Sequence, residues 1–163
     1  MPHKKAKLFW KVNDNPKTIF CIPYDDEQEY YTFLKKCHND GYRQIILTSE
    51  IMVNLIEHFV LEKGLSIYQL EFMEEDEDLK FEVRNLLTAV SENIAYFSKL
   101  IDKLNFLSEK SSIDIQRVYF KGRNNKEEAV NFFLQSNGII GVDNKNYSII
   151  SQEVSTLTAR CLF

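Results

Sequence analysis

Glycine and proline are scarce in this chain of 163 residues, with five of the first and three of the second. Long structureless stretches and flexible linkers are built from such residues, so neither is expected. Cysteine is scarce too. Cys21, Cys37 and Cys161 are odd in number and widely spaced, which is not a disulfide framework. A reducing, cytoplasmic setting is the expectation. No apolar run approaches the length that spans a bilayer, so no membrane is expected. The start, Met1-Pro2-His3-Lys4-Lys5, is basic without a long apolar stretch behind it and does not read as a secretory leader.

There is no excess of positive charge either. The formal net charge is −4, which argues against coating nucleic acid by bulk attraction. Charge is uneven along the chain, and residues 111–163, with six bases and five acids, are the least acidic third.

What is present is a globular composition, 44% apolar and 27% charged, with twelve Phe and eight Tyr. That suits one core or two small units.

Residues 6–12 and 17–22 read as strands joined by the turn formers Asn13-Asp14-Asn15-Pro16, a hairpin. Asp25 and Asp26 then introduce a helix, with Asp26 as cap and Tyr30, Phe33, Leu34 and Cys37 on one face. Gln44-Ile45-Ile46-Leu47 has the length of a strand. Thr48 or Ser49 caps a helix with the stripe Met52, Leu55, Ile56 and Phe59. Tyr68, Leu70 and Phe72 alternate as a strand should. The order over residues 6–73 is β-β-α-β-α-β, a small α/β unit with a sheet and flanking helices.

The acidic run Glu74-Glu75-Asp76-Glu77-Asp78 suits a helix start in water. Behind it, apolar residues recur every three or four positions from Leu79 to Leu107, without Gly or Pro. A single helix there would need a long partner surface and would imply self-association. A break at Ser91-Glu92-Asn93 gives two helices, or one kinked helix, packed on the sheet, and this is the reading preferred.

The remainder is read as a strand over 114–120, a helix over 125–136 capped by Asn124 or Asn125, a hairpin of 139–142 and 147–150, and a last helix capped by Ser151. A helix followed at once by a small hairpin is the order of a winged helix. The expected class is thus α/β (α+β): a small N-terminal unit over 1–73, then a helical middle and a winged-helix-like part over 74–163.

Several kinds of chemistry lack their residues. Lys121-Gly122-Arg123-Asn124-Asn125-Lys126 stands where a phosphate loop would, but with one glycine and neither nucleotide-binding spacing. Cys21, Cys37, His38 and His58 have no zinc-site spacing. No nucleophile elbow exists, and the three histidines have no evident partner set. No cofactor is expected.

The function expected is therefore non-enzymatic: a protein-binding, regulatory or adaptor role, with self-association through the 79–107 stripe. One alternative is a winged-helix-like nucleic-acid binder using Lys121, Arg123, Asn124, Asn125 and Lys126 at a helix start and Lys145 at a wing tip. The other is an enzyme holding Mg²⁺ on Asp25, Asp26 and Glu50, near strand ends, for phosphoryl transfer or nuclease chemistry.

Overall fold

A computed structural model describes residues 3–163. Met1 and Pro2, where the reading of the N-terminus begins, lie outside the described residues. The fold is mixed α/β and divides into two compact units. One runs up to Leu47 and resumes over Asn137–Phe163; the other is Thr48–Ser136.

The first unit holds strands β1 (His3–Lys11) and β2 (Ile19–Pro23), helix α1 (Tyr30–Asn39), strand β3 (Tyr42–Gln44), strand β7 (Ile139–Asp143) and helix α5 (Tyr147–Leu162). Its N-terminal and C-terminal strands form one continuous antiparallel sheet around β1. Strand β2 pairs with Ala6–Trp10, while β7 pairs with His3–Lys7 and β3 with Phe9–Lys11. Alternation sends Leu8 and Cys21, which face each other in register, to the side of α5, where the Cys21 thiol lies 3.2 Å from Ser155 Oγ. Phe9 goes to the other side and packs with Phe33 and Cys37 of α1.

The expected N-terminal hairpin is present. The cap of α1 is Glu29 rather than Asp26: its carboxylate accepts from the N–H groups of Tyr31 and Thr32 at 3.1 and 2.7 Å. The Thr32 hydroxyl, which donates to the same carboxylate at 2.6 Å, and then those backbone bonds hold the Glu29 carboxyl below its usual range. The strand expected over 44–47 is displaced to Tyr42–Gln44. Ile45 and Leu47 are buried beyond it, and Ile46 is exposed.

The second unit holds helix α2 (Ser49–Glu57), strand β4 (Ser66–Phe72), helices α3 (Glu77–Glu92) and α4 (Phe97–Ser111), and strands β5 (Ile115–Arg123) and β6 (Ala129–Gln135). Thr48 caps α2 through its hydroxyl, and α2 runs into a π-helical turn, His58–Glu62. That turn sets Phe59 against Phe120 and Phe132, with ring centroids 5.4 and 4.9 Å away. The core face of the antiparallel β4–β5–β6 sheet is therefore the one bearing Leu70, Val118, Phe120, Val130, Phe132 and Leu134, all buried.

The long apolar stripe is two helices, as preferred from the sequence. The break falls at Asn93, whose side chain caps a short 3₁₀ turn. A 2.6 Å ion pair joins Glu82 of α3 to Lys103 of α4. Leu79, Val83, Phe97, Leu100, Leu104 and Leu107 are buried within the chain.

The winged-helix arrangement is not formed. Residues 129–135 are β6, not a helix, and pair with β5 from Arg117↔Gln135 to Arg123↔Ala129. Asn124 Oδ1 accepts from the N–H groups of Lys126 and Glu128 at 2.8 and 3.0 Å. Glu127 adopts φ 61°, so the segment turns back on itself rather than starting a helix. The second expected hairpin is also absent, because Tyr147-Ser148-Ile149-Ile150 begins α5. Asp143 Oδ1 accepts from both Asn146 N and Asn146 Nδ2, closing a buried turn into that helix. Ser151 is thus inside α5, where its hydroxyl donates to the Ser148 carbonyl.

Candidate functional site

The residues singled out as a magnesium site are divided between the units. Asp25 and Asp26 lie in the turn before α1, and Glu50 in the first turn of α2. Asp26 pairs with Lys5 at 2.9 Å. Asp25 accepts from the Glu27 N–H at 3.0 Å. Both face an open cleft of about 640 Å³ that also carries His3, Lys4 and Lys5. Among the described residues, no group of three or more His, Cys, Asp or Glu side chains is gathered to hold a metal ion. Among them, too, no helix is long and apolar enough to cross a membrane.

Of the residues assigned to a helix start and wing, Lys145 lies in the turn between β7 and α5, in the first unit. Asn124, Asn125 and Lys126 form the β5–β6 turn, where Asn124 is occupied by the bonds just described. Arg123 donates to the Glu127 carbonyl at 2.8 Å. Lys121 and Arg123 stand on β5 itself.

This placement brings together a surface that the sequence reading did not assemble. Positions 117, 119, 121 and 123 alternate with the core residues of β5, so Arg117, Tyr119, Lys121 and Arg123 share the opposite face. Register sets Tyr119 opposite Phe133, Arg117 opposite Gln135 and Lys121 opposite Asn131. On the other side of β5, Glu71 faces Arg117 and Gln69 faces Tyr119. A bulge between Ile67 and Gln69 turns Tyr68 to this face, 5.6 Å from the Tyr119 ring. Tyr119 and Phe133 are 5.9 Å apart.

The cations are woven into this row of rings. The Arg117 guanidinium lies 4.7 Å from the Phe133 centroid and donates to Tyr119 Oη and Gln135 Oε1. Lys121 Nζ lies 5.5 Å from the Tyr68 centroid. The clue in the sequence is the period-two series Arg117, Tyr119, Lys121, Arg123, which is polar or amphipathic and so carries no apolar alternation.

A second feature adjoins β4. Among the described residues this strand pairs with β5 alone, and α3 runs beside it. Between them lies a groove of about 490 Å³, with Leu70, Phe72, Val83 and Leu87 among its walls and Glu71, Glu75, Lys80 and Arg84 at its rim. Lys80 has Glu77 at 3.8 Å. The Arg84 guanidinium has no hydrogen-bonding or ionic partner among the described residues.

Lys7 is buried in the first unit with its ammonium on the Asn137 carbonyl and 5.7 Å from the Phe9 ring centroid. Burial lowers its pKa to about 8. The amine is sealed from solvent by its surroundings, so it is a structural contact. Burial also pushes the Cys21 thiol up, which makes it a weaker nucleophile.

No family model matches the chain, and neither a curated protein nor a solved structure matches it.

Proposed function

We propose that the chain is a non-enzymatic binding protein that receives an extended peptide segment of a partner protein along β4. The observation that carries this reading is the unshared edge of β4 beside a groove with apolar walls. An edge strand offers every second pair of backbone N–H and C=O groups outward, and an added strand satisfies them. Alternate side chains of that strand would meet Val83 and Leu87 of α3. Unpaired Arg84 favours a carboxylate on the segment. Bulges flank Gln69–Glu71, so pairing is short and the groove supplies the rest of the affinity.

The test is selection from a random decapeptide library displayed on phage against the folded chain. Enriched peptides, made synthetically, should slow amide exchange over Gln69–Phe72 and carry an acidic residue. Arg84→Glu should weaken them at least tenfold. Failure to enrich, or protection confined to other segments, would refute the reading.

A further inference from the structure

The outer face of the β4–β5–β6 sheet points to a different ligand. We propose that it binds single-stranded nucleic acid, with bases on Tyr68 and Tyr119 and phosphates on Lys121 and Arg123. This goes beyond the peptide reading and uses the face of the sheet rather than its edge.

Three observations converge. Firstly, the rings lie across neighbouring strands in one row, Tyr68–Tyr119–Phe133, with spacings of 5.6 and 5.9 Å. Tyr68 is exposed and Tyr119 half-buried, while Phe133 is buried and backs the row. Soluble proteins usually turn such rings inward. Rings held side by side on an open sheet offer stacking surfaces to unpaired bases.

Secondly, the charge on this face is one-sided. Arg117, Lys121 and Arg123 are cations of β5 alone, whereas Glu71 is the acid in register with them. This local excess stands out in a chain whose net charge is −4. Successive outward residues of β5 are about 7 Å apart, so Lys121 and Arg123 follow Tyr119 along the strand, both on one side of the ring row, which runs across the strands. A backbone leaving the rings on that side would meet them in turn.

Thirdly, amides border the rings. Asn131 and Gln135 stand one row to either side of Phe133; their oxygens accept from Tyr68 Oη and from Arg117, and each amide also carries an NH₂ group, the donor type that base edges accept. A duplex keeps its bases stacked on each other and presents no face to Tyr68 or Tyr119, so the single strand is the form that fits.

The test is fluorescence anisotropy of 5′-labelled twelve-nucleotide uridine and thymidine strands with the whole chain at low salt, with a duplex of equal length as comparison. Binding should favour the single strands and weaken as salt rises, with a slope of about −1.4 for two phosphates. Tyr68→Ser should weaken it about tenfold. Lys121→Glu should weaken it similarly and make the salt slope shallower. Circular dichroism of both variants should match the parent, since both positions are exposed. The two strand types distinguish RNA from DNA. Absence of binding, equal affinity for duplex, or indifference to both substitutions would overturn the proposal. Tyr68 also lines the Arg84 groove but Lys121 does not, so Lys121→Glu separates this failure from failure of the peptide reading.

Discussion

The Arg117 guanidinium carbon lies 4.7 Å from the Phe133 ring centroid, and the same group bonds Tyr119 and Gln135. One side chain thereby links β5 to β6 by a cation–ring contact and by hydrogen bonding. A lysine keeps the charge but not the planar fork. Arg117→Lys should cost about 1 kcal/mol and Arg117→Ala about 2 kcal/mol in urea unfolding. Equal stability of all three proteins would show that the link contributes nothing.

The turn before β6 distinguishes a hairpin from a helix by the sign of a mutation. Glu127 has φ 61°, which a side chain resists and glycine does not. Glu127→Gly should therefore stabilise the chain, by about 0.5 kcal/mol. In a helix it would destabilise by about 1 kcal/mol. Asn124→Ala should cost about 1–2 kcal/mol through its two lost backbone bonds. Asn125→Ala should change little. Thermal unfolding of the three variants measures all of this.

Gly138 and Gly41 both have positive φ, 85° and 93°, but only one is crowded. A Cβ on Gly138 would run into the Ile45 carbonyl oxygen and approach Lys7 Nζ, whereas a Cβ on Gly41 would meet nothing. Gly41→Ala should cost about 1 kcal/mol, from backbone strain alone. Gly138→Ala should cost about 3 kcal/mol or more, because backbone must move. Denaturant midpoints that rank the two in the opposite order would contradict this packing.

Lys7 makes stability depend on pH in a direction opposite to the buried acids. Its folded pKa, about 8, is below the ordinary 10.5. Below pH 8 the folded chain must carry the buried charge. Between the two values the unfolded chain holds a proton that the folded chain has released, so stability rises with pH, by roughly 3 kcal/mol across the window. Cys21, Tyr30 and Tyr147 are pushed up by burial, and their titration lowers stability as pH rises. The difference between the parent and Lys7→Met isolates the lysine. It should change in favour of the parent from pH 7.5 to 10.5; a flat difference would remove the effect.

The elements legible from the sequence were those with one unambiguous period. Met52, Leu55, Ile56 and Phe59 recur at helical spacing and are buried on α2 and the turn that follows it. Leu70 and Phe72 are buried on the strand β4 that their alternation announced, while a bulge turns Tyr68 outward. The stripe from Leu79 to Leu107 announced helices, and Asn93 divides them. Caps were less legible, because Asp26 and Glu29 are both able to cap and the chain used the second.

The candidate surfaces were only half legible. Lys121 and Arg123 were named from the sequence as a helix approach, and they stand on a strand. Their partners Tyr68 and Phe133 are 53 and 12 positions from Lys121 in the numbering, and no local pattern joins such residues.

Local spacing determined the class of the protein, mixed α/β with one-sided helices, because burial of a face is written in residues a few positions apart. Tertiary structure decided the segment 129–135. Val130, Phe133 and Leu134 suit a helix face, while Val130, Phe132 and Leu134 suit a strand face. Pairing with β5 and packing of Phe132 on Phe59 selected the strand, since hydrogen bonds and buried area supplied from distant parts of the chain outweigh a weak local preference.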